Sequence, residues 1–138
     1  MTRKWLFTIT AVILAVMAAC SGSLRGIMRR DASRVTFNYS NSQIGNADLQ
    51  VVLPEGERFE GRAEKGINNT RPQASATTSM DRFQAVETFK GNAEAVLSGD
   101  RGNIMQCRFL LADTILGLKG GGFGICQLSD ERVIDVFF

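Results

Sequence analysis

A chain of 138 residues without a single histidine excludes Ser-His and Cys-His nucleophilic catalysis, because both need an imidazole to take up the nucleophile's proton. Lys and Arg number 16 against 14 Asp and Glu, and removal of an N-terminal leader carrying Arg3 and Lys4 leaves the remainder formally neutral. No basic patch interleaved with aromatics appears, so nucleic acid is not an expected partner.

The chain opens with Arg3 and Lys4, continues through the uncharged apolar run "WLFTITAVILAVM" from Trp5 to Met17, and closes on Ala18, Ala19 and Cys20. A cationic start, an apolar middle and small residues at the end predict a secretory signal over residues 1–19. The run falls short of the ~20 residues a spanning helix needs, and no later segment reaches that length. Met17-Ala18-Ala19-Cys20 resembles the lipobox of bacterial lipoproteins. The resemblance implies cleavage before Cys20, a diacylglycerol on its thiol and acylation of the new amino terminus. An ordinary signal peptide whose cleavage site falls beside a cysteine is the plainer alternative. Three acyl chains at ~0.8 kcal/mol per buried CH₂ hold a protein stably at a membrane, where one is marginal. Ser21 in place of aspartate after the cysteine implies, by the same resemblance, transport to the outer membrane.

Serine, glycine and arginine dominate from Cys20 to Arg34, which predicts a tether over residues 20–34. Its arginines, Arg25, Arg29, Arg30 and Arg34, either lie along anionic lipid or are merely solvated. From Val35 the apolar residues alternate with polar ones: Val35, Phe37 and Tyr39; then Leu49, Val51 and Leu53; later Met105, Cys107, Phe109 and Leu111. Period two over short windows bounded by Gly, Asn, Asp and Pro predicts half-buried strands. "LPEGERFE" (Leu53 to Glu60) and "LSDERVID" (Leu128 to Asp135) align as a weak repeat, each a strand, an acidic turn and a returning strand. Gly99-Asp100-Arg101-Gly102 supplies a third turn. Glycine suits such turns because it accepts positive φ without a Cβ penalty, so Glu131 occupies a position that favours glycine.

Residues 64–80 are polar and aperiodic and contain Pro72, which predicts a loose surface loop. Phe83 to Leu97 fits either a helix, through Phe83, Val86 and Phe89, or a strand, through Phe89, Gly91, Ala93, Ala95 and Leu97. The second half is assigned to strand. The expected fold is therefore all-β: one domain over residues 35–138, a small antiparallel sheet of hairpins forming a sandwich, a roll or a partly closed barrel. About a hundred residues suffice for one small core.

The block from Gly99 to Phe109, the stretch Gly120 to Leu128 with its paired cysteine, and Asp130 to Phe138 resemble a family of small bacterial proteins, many with lipoprotein signals. That pattern includes the Leu53 to Glu57 hairpin and usually has glycine where Glu131 stands. The resemblance supports the fold and the compartment, and it carries no established activity.

Cys107 and Cys126 remain once Cys20 is assigned to lipid. In an exported, oxidising compartment an even pair predicts a disulfide. Metal binding is the rival, but two cysteines without histidine fall short of a zinc site, and no thiol-activating redox motif is visible. No metal or cofactor is therefore expected. The glycine run Gly120 to Gly122 lacks the following helix and Lys-Ser/Thr pair of a phosphate loop, so no nucleotide is expected either. Glu55, Glu57, Glu60, Asp130, Glu131 and Asp135 could supply the paired carboxylates of a glycan hydrolase, although charges at hairpin turns are more often solvated. Lys65, Lys90 and Lys119 stand in polar settings that do not suit a Ser-Lys pair.

Ile115, Leu116, Leu118 and Phe123 fall in a connection between strands where polar residues are expected. They either cover the end of the core or form an exposed patch for a partner. The leading expectation is a non-enzymatic outer-membrane lipoprotein that binds another envelope component, with a small peptidoglycan or glycan hydrolase and a lipid or small-ligand carrier as alternatives.

Overall fold

A computed structural model describes residues 21–43, 46–66 and 83–138. The predicted signal, Cys20 and most of the predicted 64–80 loop lie outside those residues. Eight antiparallel strands follow one another round a closed barrel, each bonded to its neighbours in sequence. They are β1 (Ser21–Met28), β2 (Arg34–Gln43), β3 (Asn46–Val52), β4 (Arg58–Lys65), β5 (Ala93–Gly99), β6 (Ile104–Leu111), β7 (Gly122–Leu128) and β8 (Val133–Phe137). Among the described residues one short helix, α1 (Gln84–Thr88), precedes β5, and one 3₁₀ turn, Gly117–Gly120, precedes β7. The all-β expectation holds, in its barrel form.

The barrel follows from period two. Each strand sends alternate side chains inward, and eight strands enclose an interior just wide enough for side chains to fill. Phe37, Phe59 and Phe109 have no exposed surface and occupy it together with Leu24, Leu49, Leu97, Met105, Leu128 and Ile134. Alanines 47, 63, 93 and 95 are buried on β3, β4 and β5, and Tyr39 and Phe138 pack against the same cluster. A core filled by large side chains has the density that stabilises small domains.

The predicted tether is corrected. Ser21–Met28 is a barrel strand, paired with β2 from Ser21↔Ser40 to Ile27↔Arg34 and closing the barrel against β8 from Arg25↔Phe137 to Met28↔Ile134. Leu24, Gly26 and Met28 face inward while Arg25 and Ile27 face out. Glycine supplies no apolar signal at its inward position, which hid the alternation. A Cβ on Gly26 would stand 2.8 Å from Ile134 and 3.1 Å from Phe37, so the position is small because the core is full there. The domain accordingly starts at least fourteen residues earlier than the predicted Val35, at Ser21.

The three hairpins read from the repeat are present, and all turn at the same end of the barrel. Gly56 and Gly102 take positive φ, 94° and 87°, and so does Glu131 at 73°. Phe83 to Leu97 resolves into both alternatives in succession, α1 and then β5.

Candidate functional site

Odd-to-even connections, β1–β2, β3–β4, β5–β6 and β7–β8, are tight turns at one end of the barrel. The other end carries the β2–β3, β4–β5 and β6–β7 connections together with Ser21 and Phe138. The predicted site residues are distributed over both ends and the wall between them.

Cys107 and Cys126 are directly opposite partners in the β6–β7 register and form a disulfide. Both are buried inside the barrel. Closing a loop with a sequence separation of 19 is worth about 3 kcal/mol in the chain-entropy model, against the ~5–15 kcal/mol total of a typical domain. The bridge has the surroundings of a structural staple.

Of the predicted carboxylates, Glu55, Glu57 and Asp130 are engaged by hydrogen bonds and ion pairs at the tight-turn end. Glu57 is 2% exposed, and both its oxygens accept from Asn103 Nδ2, at 2.9 and 3.2 Å. Asn103 Oδ1 in turn accepts from Ser129 Oγ at 3.1 Å, and that hydroxyl accepts from the Ile104 amide. Glu55 and Asp130 meet, but around Arg132, which pairs with both. Burial works against the Arg132 charge, yet the hydrogen bonds and charges of Glu55 and Asp130 outweigh it and raise its pKa. Asp135 pairs with Arg29 at 2.8 Å on the outer wall, and the hydrogen bond it accepts raises the Arg29 pKa despite some burial. Glu60 and Glu131 face solvent. These groups tie three turns together: the β3–β4 turn through Glu55 and Glu57, the β5–β6 turn through Asn103, and the β7–β8 turn through Ser129 and Arg132. In these contacts Glu55, Glu57 and Asp130 act as hydrogen-bond and ion-pair partners between turns.

The glycine run enters β7. Gly121 and Gly122 take positive φ, 85° and 151°. A Cβ on Gly122 would lie 2.3 Å from the Leu110 carbonyl oxygen, and one on Gly124 would lie 2.5 Å from Phe109. The glycines permit close passage of one strand over another, which removes the structural context of a phosphate loop.

Of the four residues predicted as a patch, the structure separates one. Leu118 is 6% exposed and belongs to the core cluster, so its assignment to the patch is corrected: the 3₁₀ turn Gly117–Gly120 rotates it inward over the barrel end. Ile115, Leu116 and Phe123 are 74%, 54% and 46% exposed. Ile115 and Leu116 are held outward by an Asx turn in which Asp113 Oδ1 accepts from the Ile115 amide at 2.7 Å and the Leu116 amide at 3.2 Å. Two residues that sequence reading missed complete the surface. Leu110 pairs with Phe123, and Phe123 pairs with Phe137, so three outward apolar side chains stand in register across β6, β7 and β8. Phe89 packs edge-on against Phe123 with ring centroids 5.7 Å apart. It is positioned by Arg108, which donates to the Glu87 and Phe89 carbonyls. The cue in the sequence was the outward register of Leu110 and Phe137, which depends on knowing which strands are neighbours.

Other exposed apolar residues are scattered. Ile27 faces Arg34 and Asp135 across the strands, Val52 faces Arg58, Val96 faces Arg62 and Gln106, and Ile104 faces Ser98. An open depression beside α1 is lined by Gln84, Ala85, Thr88, Gln127 and Glu131, with the Gln127 side chain accepting from the Ala85 amide. Isolated apolar residues need no explanation, whereas a contiguous apolar surface marks an interaction site. Among the described residues no cluster of His, Cys, Asp and Glu fits a metal ion, and no helix is long and apolar enough to cross a membrane. The chain matches no family model, no curated protein and no solved structure.

Proposed function

We propose that this protein is a non-enzymatic lipoprotein of the bacterial envelope, anchored at the outer membrane through lipid on Cys20, whose barrel is a binding or structural module. The observation that carries the reading is the Met17-Ala18-Ala19-Cys20 sequence behind an apolar run and a cationic start, with a barrel strand already formed at the next residue, Ser21. Cleavage before Cys20 would leave the whole described fold intact. The buried Cys107–Cys126 disulfide is in keeping with an exported, oxidising compartment. The filled interior favours a binding module over a small-ligand carrier, and the engagement of Glu55, Glu57 and Asp130 by Arg132 and Asn103 favours it over a hydrolase.

Metabolic labelling with a fatty-acid probe in a Gram-negative host tests the anchor. The native chain takes up label and sediments with outer membranes, whereas Cys20→Ser takes up none and either is released or keeps its leader. Equal labelling of the two would sink the reading.

A further inference from the structure

We infer that the apolar rim of Leu110, Ile115, Leu116, Phe123 and Phe137 is a bilayer-contact surface, seated in the interfacial layer of the same membrane leaflet that Cys20 anchors to. The inference rests on the reading of Cys20 as the lipid-bearing residue and specifies how the barrel is oriented on the membrane.

The first argument is where the chain leaves the described fold. Pairing of β1 with β8 stops at Arg25↔Phe137, whereas pairing with β2 continues to Ser21. Ser21–Leu24 therefore continue along β2 alone beyond the end of β8, for about 13 Å at ~3.3 Å per residue, with Leu24 still buried in the core and Ser21 and Ser23 exposed. They leave from the end that also carries the β6–β7 connection with Ile115 and Leu116. Because Ser21 is already strand, no slack separates Cys20 from the wall. An acyl group there brings this end to the headgroups and turns the tight-turn end away.

The second argument is the chemistry that borders the rim. The row Leu110–Phe123–Phe137 continues in register to Arg25 on β1. Lys119 lies in the same connection as Ile115 and Leu116, and Lys90 follows Phe89. All three cations are exposed, and none makes an ion pair among the described residues. Among the carboxylates near them in sequence, Asp113 is engaged by the amides of its own turn, Glu94 by Arg108, and Glu87 also has a partner. Aromatic and aliphatic side chains edged by free cations fit an interfacial surface, in which the apolar groups enter ~5–10 Å and the cations meet anionic headgroups.

The lone tryptophan of the chain is Trp5 in the leader, so an introduced indole can report the depth of one position in a Trp5→Phe background. Full-length lipid-modified protein carrying Phe123→Trp, or Ile104→Trp at the other end of the barrel wall, is reconstituted in phosphatidylethanolamine–phosphatidylglycerol vesicles containing dibrominated acyl chains. Ile104 matches Phe123 in exposure, 44% against 46%. The Phe123→Trp indole is expected to be quenched roughly twofold or more beyond the Ile104→Trp indole, as insertion into the headgroup–acyl boundary requires. Leu116→Trp, on the turn, gives the same readout if the strand substitution impairs folding. Equal quenching at the two ends overturns the inference, and so does blue-shifted emission without quenching, which would assign the rim to a second copy or another protein. Fatty-acid label on Cys20 is scored in the same samples. Its absence overturns the anchor, whereas its presence with equal quenching overturns the rim alone.

Discussion

The two ends of the barrel are finished with opposite chemistry. At the tight-turn end, Glu57, Asn103, Ser129, Glu55, Asp130 and Arg132 join three hairpins through hydrogen bonds and ion pairs. At the other end the β4–β5 and β6–β7 connections are longer, Leu118 and Phe138 close the core, and Ile115, Leu116 and Phe123 stand in solvent. A turn-rich end has backbone amides and carbonyls to satisfy, and polar side chains do so at little cost. The opposite end satisfies its backbone within the Asp113 turn and through the paired Gly122–Phe138 bonds, which leaves its side chains free to be apolar. Polar satisfaction at one end is explained by folding. Apolar exposure at the other is not, and that difference is the basis of the proposed membrane-contact surface.

The largest effect that tests the contrast lies within the apolar end itself. Leu118→Asp puts a carboxylate into a buried site and is expected to cost about 3 kcal/mol or more, enough to unfold much of a small domain. Ile115→Asp, three residues away, should change stability by no more than ~0.5 kcal/mol. Denaturant melts of both variants decide it, and comparable losses would mean that the rim is part of the core. At the polar end, Asn103→Ala leaves the Glu57 carboxylate buried without its donor, an expected loss of about 2–3 kcal/mol for a hydrogen bond to a charged group. A loss below ~0.5 kcal/mol would show that the network is decoration. The last change is a gain. Glu131→Gly relieves a non-glycine residue at φ 73° and should stabilise by roughly 0.5–1 kcal/mol, raising the melting temperature by a few degrees. A lower melting temperature would mean that the turn does not bear that strain.

Much of the barrel was legible in the sequence. Period-two alternation in β2, β3 and β6, the acidic turns of the repeated hairpins and the misfit of Glu131 are local properties, and local steric rules read them directly. The strand β1 was not legible, because Gly26 interrupts the apolar alternation at the place where Ile134 and Phe37 fill the interior. The candidate surface was half legible. Ile115, Leu116 and Phe123 stood out as apolar residues in a connection, whereas Leu110 and Phe137 read as ordinary members of alternating strands.

The sequence by itself determined the all-β class, the positions of the hairpin turns and the expectation of a bridge between Cys107 and Cys126, because alternation, turn stereochemistry and cysteine number act within a few residues or by simple pairing. Only the tertiary structure decided that the strands close into a barrel through β1 and β8, that Leu118 turns inward while Ile115 and Leu116 turn out, and that Leu110, Phe123 and Phe137 form one row. Those outcomes depend on which strands become neighbours and in what register, a choice made by filling a shared interior and recorded in no single segment.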